Sequence, residues 1–542
     1  MFLVYINLVW VLGTIAAQNT NQLFELSIAH FNDFHAHYEE VNPSGTVCQP
    51  EVEPCMGGFA RLYTAVKQVR ADDPEALLLN AGDTFQGTIW YNFMRWNVSQ
   101  HFMNLLPHTA HALGNHEFDH GVEGLLPYLE NLKAPMLGAN VNTTYEPRLT
   151  NFIRNHIVVT VKNRKVGIIG VLLRQFSAPI GRLIIEDEEA AINREAAILK
   201  SQGIDIIIVM SHVGFNRDMY LASRISTDVD IIVGAHSHSL LYTGQPPSGH
   251  TAQGKYPTVV SRGESSILVV QASCYTRYLG HIKLFIDDDG VVKRWEGKPI
   301  YLGTSIIPDP EMVMELEPWK QEVDAVGKEV LGISKVTLNR SWCSEGECNL
   351  GSWACDGFLE SVMDQATGTA WHHAHICLIN TGGLRVQIDP GEVTTESLLM
   401  AMPFENYVQM YDLKGEYLLQ ALEHSAGSSQ TTPGHFRSGR MLQVGGLRVV
   451  YNASQPVGSR VLSTRIRCID CDVPRYYPLD TNATYRVISQ SYIGDGGGGY
   501  TMLSEHRENL QTLQVDYVVL QQYLRKQQVI MKDLDGRIQV VW

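Results

Sequence analysis

Clusters of histidine, aspartate and asparagine recur along the first half of the chain, and each follows a short apolar run. Seven side chains in these clusters are typical metal ligands: Asp33, His35, Asp83, Asn115, His212, His236 and His238. Capping of a turn explains one such aspartate, but it does not explain seven ligand types placed after strands. Histidine nitrogen mixed with carboxylate oxygen favours zinc, manganese or iron over calcium or magnesium. Two ions about 3.5 to 4 Å apart, bridged by Asp83, would suit a phosphoryl displacement, because they can hold the attacking and the leaving oxygen.

The elements that must position these ligands are predicted strands at 26–31, 76–79, 204–210 and 230–233. Amphipathic helices are predicted between them, for example at 59–69 and 189–200. This alternation indicates an α/β fold in which functional loops lie at the carboxyl ends of buried strands. Residues 255–302 are richer in β-type runs, with a turn at 287–290, and we expect them to close the first domain.

A helical pattern opens at Pro308-Asp309-Pro310 and continues to about Leu331. Its apolar residues recur at spacings of three and four, and acidic residues lie near its start, as is typical of a helix. We interpret 308–333 as a helix that connects two domains. The first domain would then span 18–307, and the second would span 334–542.

The N-terminal residues predict an exported protein. Residues 1–17 are almost wholly apolar and are interpreted as a cleaved signal peptide, although they contain no Lys or Arg; a buried strand or an uncleaved anchor is the alternative. No later stretch is long and apolar enough to span a membrane, and the last residues form no hydrophobic tail, so no membrane anchor is expected. With 42 Lys+Arg against 57 Asp+Glu, the net charge of −15 argues against nucleic acid as a partner. We therefore expect a soluble protein secreted to the extracellular space.

Eight of the nine cysteines fall into close pairs: Cys48 with Cys55, Cys343 with Cys348, Cys355 with Cys377, and Cys468 with Cys471. Disulfides are favoured in an exported chain, with zinc binding as the alternative. Cys274 is left over and is expected to be a buried thiol. Five Asn-x-Ser/Thr sequons predict glycosylation in surface loops, at Asn97, Asn142, Asn339, Asn452 and Asn482.

Ordered motifs in both halves resemble the 5′-nucleotidase/apyrase family, in which a calcineurin-like metallophosphoesterase domain precedes a 5′-nucleotidase C-terminal domain. The motifs of the first half are Asn32-Asp33-Phe34-His35, Gly82-Asp83-Thr84-Phe85-Gln86-Gly87, Gly114-Asn115-His116-Glu117-Phe118-Asp119, Ser211-His212 and Gly234-Ala235-His236-Ser237-His238. Those of the second half are Asn380-Thr381-Gly382-Gly383-Leu384-Arg385, Pro403-Phe404, Leu442-Gln443-Val444-Gly445-Gly446 and the glycine-rich loop at 494–499. The resemblance implies an N-terminal α/β/β/α sandwich, joined by the connecting helix to a C-terminal α/β substrate-binding domain.

For the metal centre, the resemblance implies two divalent ions. The ligands of one site would be Asp33, His35, Asp83 and His238, and those of the other would be Asp83, Asn115, His212 and His236. Zinc is favoured, while calcium, magnesium and manganese are left open as ions that support activity. His116 resembles the catalytic histidine that stabilises charge on the transferred phosphoryl group, and Asp119 would hold its imidazole protonated.

For the substrate, the resemblance implies contacts from the C-terminal domain. Arg385 is placed like a phosphate-binding arginine, and Asn380 is placed like a substrate-contacting amide. Phe404 and Tyr492 resemble the two aromatic residues that sandwich the nucleobase, with core packing as the alternative for Phe404. The active site would then lie between the domains, and rotation about the connecting helix would gate access.

Three positions depart from the pattern of the vertebrate members. Ser344 stands where they place a phosphate-contacting arginine, and His37 replaces another arginine near the first metal motif. Gly498 stands where they place an aspartate that binds the ribose, and Asp495 could substitute only if the loop is rebuilt. These changes alter the nucleotide contacts and leave the metal ligands intact, so altered specificity is expected.

A signal peptide without a lipid tail resembles the salivary apyrases of blood-feeding arthropods, which convert ATP and ADP to AMP. We therefore expect a secreted apyrase that removes ADP and so inhibits platelet aggregation in a host. One alternative is a secreted 5′-nucleotidase that converts AMP to adenosine. Another is a non-catalytic salivary protein that binds nucleotides or a receptor. The oligomeric state and the nucleobase preference are left open.

Overall fold

The computed structural model of the chain describes residues 23–43, 45, 48, 50, 51, 53–174, 180–247, 249–263, 265–427, 429–432 and 435–542. The predicted signal peptide, 1–17, lies outside these residues. None of the helices among them combines the length and the apolar character that crossing a membrane requires.

Two β-sheets form the centre of the first half of the chain. The first sheet has eight strands, in the order Val292–Gly297, Tyr278–Ile286, Phe24–Phe31, Leu77–Asn80, Ala110–Ala112, Met136–Leu137 and Ile153–Arg154, with Ile300–Tyr301 paired to Tyr278–Ile286. The second sheet has six strands, in the order Thr258–Arg262, Ser265–Val270, Ile231–Gly234, Ile206–His212, Arg164–Leu172 and His156–Val161. Val141–Asn142 and Ile184–Ile185 form a separate two-stranded ladder. All four predicted strands that precede ligand clusters are confirmed, because they are buried apolar runs that pair in parallel.

Helices cover the outer face of each sheet, so this half is an α/β/β/α sandwich, as predicted. Apolar residues of the two sheets pack against each other in one core, as Ile28 of the first sheet and Ile208 of the second illustrate. On the outer side of the first sheet lie Phe59–Asp72, Ile89–Met94, Trp96–Met103 and Gly121–Asn131, with the short 3-10 turns His116–Phe118 and Pro147–Leu149 nearby. On the outer side of the second sheet lie Glu188–Ser201 and Phe215–Ala222.

The connecting helix is shorter than predicted, spanning Pro310–Gly327. It begins after Asp309, whose carboxylate accepts the backbone N–H groups of Glu311 and Met312, and Pro310 occupies its first turn. The predicted continuation to 333 is wrong, because Val330–Ser334 is a strand. The prediction depended on apolar spacing alone. In the structure, this segment, which contains β-branched residues, pairs with the strands Gly391–Thr394 and Val529–Ile530. The domain boundaries at 18–307 and 334–542 stay predictions.

The second half contains further sheets, each with helices beside it. A five-stranded sheet has the order Leu442–Gly445, Ile376–Asn380, Thr484–Gln490, Tyr407–Lys414 and Glu508–Val515. A four-stranded sheet has the order Tyr476–Pro478, Val461–Arg467, Leu447–Asn452 and Ile538–Val541, and a hairpin joins Ser429–Thr432 to His435–Ser438. The helices are Asn349–Glu360, Thr395–Ala401, Gly415–Gly427, Ser491–Gly494, Thr501–His506 and Asp516–Gln527, with 3-10 turns at Ser341–Ser344, Met363–Gln365, Thr381–Gly383 and Gly497–Gly499. This mixture of helices and sheets confirms a C-terminal α/β domain.

All four predicted cysteine pairs are disulfides, namely Cys48–Cys55, Cys343–Cys348, Cys355–Cys377 and Cys468–Cys471. Cys274 is a buried free thiol, as expected. The sequons are not all in loops, since Asn97 lies in a helix and Asn142 and Asn452 lie in strands. Asn97 and Asn482 are exposed, whereas Asn142, Asn339 and Asn452 are half-buried, so glycosylation at the five sites stays a prediction.

Candidate active site

The candidate ligands lie in loops that hydrogen bonds hold against one another. The backbone N–H of Asp33 donates to the carbonyl of Gly82 at 3.0 Å, and the N–H of His35 donates to the carbonyl of Asp83 at 3.0 Å. The strands that precede these two loops are parallel neighbours, so both loops leave the same edge of the first sheet. The loop after the first strand therefore cannot move independently of the loop that carries Asp83.

Two groups of side chains converge at this edge. Asp33, His35 and His238 form one group, and Asp83, His212 and His236 form the other; within each group the potential ligand atoms lie within 4.8 Å of one another. Asp83 Oδ2 is 3.6 Å from His35 Nε2 and 3.1 Å from His212 Nε2, which places Asp83 between the groups. The structure thus brings together six of the seven predicted ligands in the arrangement expected of two metal sites that share a carboxylate.

The donor chemistry of both groups fits divalent metal ions. Burial lowers the pKa of His236 to about 3 and holds the pKa values of His35 and His238 well below their usual range, so these imidazoles are neutral and offer lone pairs. Asn115, the seventh predicted ligand, has a buried Oδ1 that no hydrogen-bond donor in the described part of the chain reaches. A buried carbonyl oxygen without a donor is costly, and a cation at the second group would satisfy it.

The pKa values of His212 and Asp83 indicate that positive charge is favoured between these two side chains of the second group. Burial alone would lower the pKa of His212, but the adjacent Asp83 carboxylate raises it to about 10. The same contact holds the pKa of Asp83 well below its usual range despite its burial. A metal ion placed between the two side chains would take the position of that proton.

The ligand loops adopt backbone conformations that non-glycine residues rarely use. Five of the seven candidate ligands have positive φ: Asp33 at 50°, His35 at 49°, Asp83 at 55°, His236 at 71° and His238 at 53°. Each such residue costs on the order of 1 kcal/mol or more, and strain of this kind is concentrated at functional sites. The sequence motifs predict these residues as ligands but do not indicate their backbone conformation.

Glu117 is a residue of the site to which the sequence assigned no role. Its buried carboxylate accepts backbone N–H groups from Gly114 at 2.6 Å, Asp83 at 3.0 Å, Thr84 at 2.7 Å and Phe85 at 3.2 Å. One side chain therefore joins the loop of Asp83 to the loop of Asn115. The sequence contains one indication of this role, namely that Glu117 directly precedes the apolar Phe118. A carboxylate that is buried in such a setting needs several hydrogen-bond donors.

His116 and Asp119 form the pair that the sequence predicts. His116 Nδ1 lies 2.8 Å from Asp119 Oδ2, and although burial opposes it, Asp119 together with Asp83 raises the pKa of His116 above its ordinary value. The ring of Phe404 lies parallel to the His116 imidazole, with centroids 5.2 Å apart and an angle of 11° between the planes. Asn92 Nδ2 donates to the carbonyl of Pro403 at 2.8 Å, which fixes the loop of Phe404 against the first half.

Arg385 reaches the metal-ligand groups from the second half of the chain. Its Nη2 lies 3.4 Å from His35 Nε2 and 3.5 Å from His238 Nε2, and its guanidinium lies 5.3 Å from the centre of the Phe404 ring. Asn380, at the end of a buried strand, has an Oδ1 with no donor among the described residues. Arg385 therefore presents its guanidinium at the site, and Asn380 has a buried oxygen that a hydrogen-bond donor would satisfy.

Tyr275 is a second residue of the site that was not predicted. Its side chain is hydrogen-bonded to Arg385, and its ring stacks on His37 with centroids 4.1 Å apart and 19° between planes. Burial lowers the pKa of His37 to about 3, so His37 is neutral and does not supply the positive charge of an arginine at this position. His37, which replaces an arginine of the vertebrate members, thus packs against the ring of Tyr275.

The remaining predicted substrate contacts lie in and beside the glycine-rich segment. Tyr492 is half-buried, and burial raises its pKa, with the charge of Asp119 adding to this effect. Asp495 is exposed and forms an ion pair with Arg507 at 2.8 Å, so a ribose contact from Asp495 would require that pair to break. Gly498 has a φ of 63°, and its carbonyl lies 2.9 Å from His424 Nε2.

Comparisons with known proteins cover both halves of the chain. Residues 26–240 match the calcineurin-like phosphoesterase family, and residues 330–505 match the family of the 5′-nucleotidase C-terminal domain. An apyrase of Tabanus yao is 38% identical over 526 residues, covering 96% of this chain and 94% of the relative. A 5′-nucleotidase of Diplobatis ommata is 38% identical over 527 residues, covering 95% and 90%. The crystal structure of a 5′-nucleotidase precursor from Thermus thermophilus superposes with a TM-score of 0.85 at 33% identity, covering 96% of this chain and 99% of that one.

Proposed function

Because the chain belongs to the 5′-nucleotidase family of metal-dependent nucleotide phosphohydrolases, we propose that it is a secreted apyrase that hydrolyses ATP and ADP to AMP. The observation that carries this proposal is the approach of Arg385 to His35 and His238 beside the His116–Asp119 pair. A phosphate at this point would meet a guanidinium from one half and a catalytic imidazole from the other.

The proposed reaction exchanges the bond from the terminal phosphorus to its bridging oxygen for a bond to a water oxygen. Two divalent ions, with zinc proposed, would neutralise charge on the phosphoryl oxygens and polarise water when bound by the seven candidate ligands. His116, with its pKa raised by Asp119, donates a charged hydrogen bond to the transferred phosphoryl group. Arg385 holds phosphate oxygens through its planar fork. AMP then leaves from ADP with the former bridging oxygen.

The second half would hold the nucleoside. We assign base stacking to Phe404 and Tyr492 and an amide contact to Asn380, whose Oδ1 has no donor among the described residues. Phe404 lies against His116 here, so base binding between the two aromatic rings requires Phe404 to leave that contact. Rotation about the connecting helix would open the cleft and permit this change.

Several observations favour the apyrase assignment. Ser344 replaces a phosphate-contacting arginine of the vertebrate 5′-nucleotidases, Gly498 removes an expected ribose contact, and His37 contributes no charge. A relative that is named an apyrase, from Tabanus yao, matches along nearly the whole chain. An apolar N-terminal segment supports secretion. In the saliva of a blood-feeding animal, removal of ADP would inhibit the platelet aggregation that ADP drives.

A secreted 5′-nucleotidase that converts AMP to adenosine is the second candidate. The 5′-nucleotidase of Diplobatis ommata is 38% identical, the same value as the apyrase, and both activities would use the same metal centre. Overall identity therefore does not separate the two substrates, and the choice depends on the residues that contact the phosphates and the ribose.

The test is the initial rate of phosphate release from ATP, ADP and AMP by the full chain purified from culture medium. Each nucleotide is assayed with added divalent ions and with chelator. We expect release from ATP and ADP that chelator abolishes, and no release from AMP. Release from AMP at a rate equal to or above that from ADP would refute the apyrase assignment in favour of the second candidate.

A further inference from the structure

Three arginines of the second half, here called the row, are connected to one another through hydrogen bonds and through the loop 340–344. Arg385 lies beside the candidate metal ligands, with Nη2 3.4 Å from His35 Nε2. Arg340 follows, since its Nε donates at 2.9 Å to the carbonyl of Leu384, the residue before Arg385. Arg437 extends the row, because its Nε donates at 3.2 Å to Oγ of Ser344, four residues after Arg340.

The loop between Arg340 and Ser344 is fixed against the segment that carries Arg385. Thr381 Oγ1 donates to the carbonyl of Cys343 at 2.8 Å, and Gln443 Nε2 donates to the same carbonyl at 2.9 Å. The disulfide between Cys343 and Cys348 closes this loop. These hydrogen bonds and the disulfide therefore fix the positions of the Arg340 backbone and of Ser344.

The row forms no ion pair in the described part of the chain, although the carboxylate of Asp83 favours the charged form of Arg385. Arg486 and Arg507 of the same half each form an ion pair with an aspartate, whereas no carboxylate forms an ion pair there with Arg340, Arg385 or Arg437. Burial lowers the pKa of Arg340, and Arg385 and Arg437 lower it further because they carry the same charge. Like charges gathered without a counterion are unfavourable, and a bound anion would offset that cost.

We propose that Arg437, with Arg340 beside it, binds the phosphate that follows the transferred one in a nucleoside diphosphate or triphosphate. This assignment rests on the proposed function, since only a polyphosphate carries a second phosphate into this row. Guanidinium groups suit the task, because each can present two parallel N–H donors to phosphate oxygens.

The assignment explains the departure at Ser344. An arginine side chain at 344 is lost, but Arg437 reaches Ser344 Oγ from the strand His435–Ser438, a different element of the fold. The guanidinium is thereby supplied from the hairpin, and the short Ser344 side chain leaves room for it. A monophosphate held at the metal ligands would reach Arg385 without requiring Arg437.

The test uses two non-hydrolysable ligands that differ by one phosphate, α,β-methylene-ADP and the 5′-methylenephosphonate analogue of AMP. Calorimetric titration of the metal-loaded full chain compares the wild type with Arg437→Gln, Arg437→Lys and the control Arg475→Gln. Arg475 is an exposed arginine of the same half, and its substitution removes the same charge.

We expect Arg437→Gln to weaken binding of α,β-methylene-ADP by about tenfold or more and to leave binding of the monophosphate analogue within about twofold of the wild type. Arg437→Lys should restore part of the loss, and Arg475→Gln should bind both ligands normally. Because Arg437 is exposed, the melting temperature of Arg437→Gln should match the wild type, and Arg437→Lys provides the comparison if the glutamine variant does not fold.

Unchanged binding of the diphosphate analogue by Arg437→Gln would overturn the assignment, as would an equal loss for both ligands. The titration does not require turnover, so it is separable from the apyrase test. A wild type that binds both analogues but cleaves only AMP would refute the apyrase assignment, and the ratio of the two affinities would still decide the role of Arg437.

Discussion

Nη2 of Arg385 lies 3.4 Å from Nε2 of His35, although 350 residues separate them in the chain. The contact joins a loop of the five-stranded sheet in the second half to a ligand loop of the first sheet. Neither half contains a complete candidate site, because the candidate metal ligands lie on one side and the guanidinium that we propose to bind phosphate lies on the other. Contact of one phosphate with both sides therefore requires the two halves to be in this arrangement or close to it.

Replacing Arg385 by lysine should lower kcat/KM for ADP by about 100-fold, because an ammonium group cannot bind two phosphate oxygens in the planar geometry of a guanidinium. The metal content should not change, since Arg385 is not a ligand. Steady-state kinetics and elemental analysis on the same sample check both statements. Arg475→Lys is the matched control and should behave as the wild type. An Arg385→Lys enzyme with normal kcat/KM would place the phosphate elsewhere.

Replacing Glu117 by glutamine should loosen the metal site, although Glu117 is not a candidate ligand. An amide NH₂ cannot accept the N–H groups of Asp83 and Gly114 that the carboxylate now accepts, and the free energy of unfolding should fall by about 2 to 3 kcal/mol. Metal affinity should fall about 10- to 100-fold, as is typical when a ligand loses its support. Thermal unfolding and metal retention after dialysis measure the two effects.

The control for that experiment is Glu123→Gln, which alters an exposed glutamate paired with Arg148. It should retain the melting temperature and metal content of the wild type, since a surface ion pair contributes little. If Glu117→Gln bound metal as tightly as this control, the inference that Glu117 positions the two ligand loops would be wrong.

Much of the fold follows from local patterns in the sequence. The runs at 204–210 and 230–233 are strands because continuous β-branched residues fit a sheet that is buried on both faces. The end of the connecting helix, at Gly327, does not follow from such local patterns. Val330 and Ile333 continue the apolar spacing of the helix, but pairing with distant strands decides their conformation, and one sequence does not reveal that pairing.

The sequence indicates which residues are candidates for the site more readily than it indicates their contacts. Candidate metal ligands can be recognised in the sequence, because it is unusual for so many histidines and aspartates to follow buried strands. Tyr275 and Arg437 have no such signal, since a tyrosine after a β-run and an arginine in a hairpin are ordinary residues. Only the fold shows that Tyr275 is hydrogen-bonded to Arg385 and that Arg437 reaches Ser344.

Replacing His116 by alanine should lower kcat for ADP by about 100- to 10,000-fold, because the charged donor to the transferred phosphoryl group is lost. Asp119→Asn should cost less, since the imidazole remains and loses only its carboxylate partner at 2.8 Å. Phosphate release at saturating ADP measures both. His101→Ala, which removes a half-exposed histidine paired with Glu315, is the control. Full activity in His116→Ala with normal metal content would exclude a catalytic role for His116.

Glu396 should make stability depend on pH at the junction of the two halves. Burial, followed by the nearby Glu39, raises the pKa of Glu396 from 4.5 to about 7; Asp324 adds to this, while Lys320 and Lys328 oppose it. Between those two pKa values the folded protein keeps a proton that the unfolded chain has lost. Stability is therefore lost as pH rises from about 4.5 to 7 and stays lower above that range.

Glu396→Gln should remove that loss and stabilise the protein at pH 8 by up to about 3 kcal/mol relative to the wild type. Melting temperatures between pH 4.5 and 8 at constant ionic strength measure the effect, with the exposed Glu392→Gln as control. Melting curves of Glu396→Gln and wild type that shift in parallel with pH would show that Glu396 titrates normally.

The most direct test of the proposed apyrase activity is the product formed when ATP is digested to completion by the metal-loaded wild type. Chromatography of the reaction over time separates ATP, ADP, AMP and adenosine, and chelator provides the blank. We predict that ADP forms and disappears, that AMP accumulates to the full amount of ATP supplied, and that adenosine is absent. Conversion of the AMP to adenosine, or ATP and ADP left intact, would contradict the proposed apyrase activity.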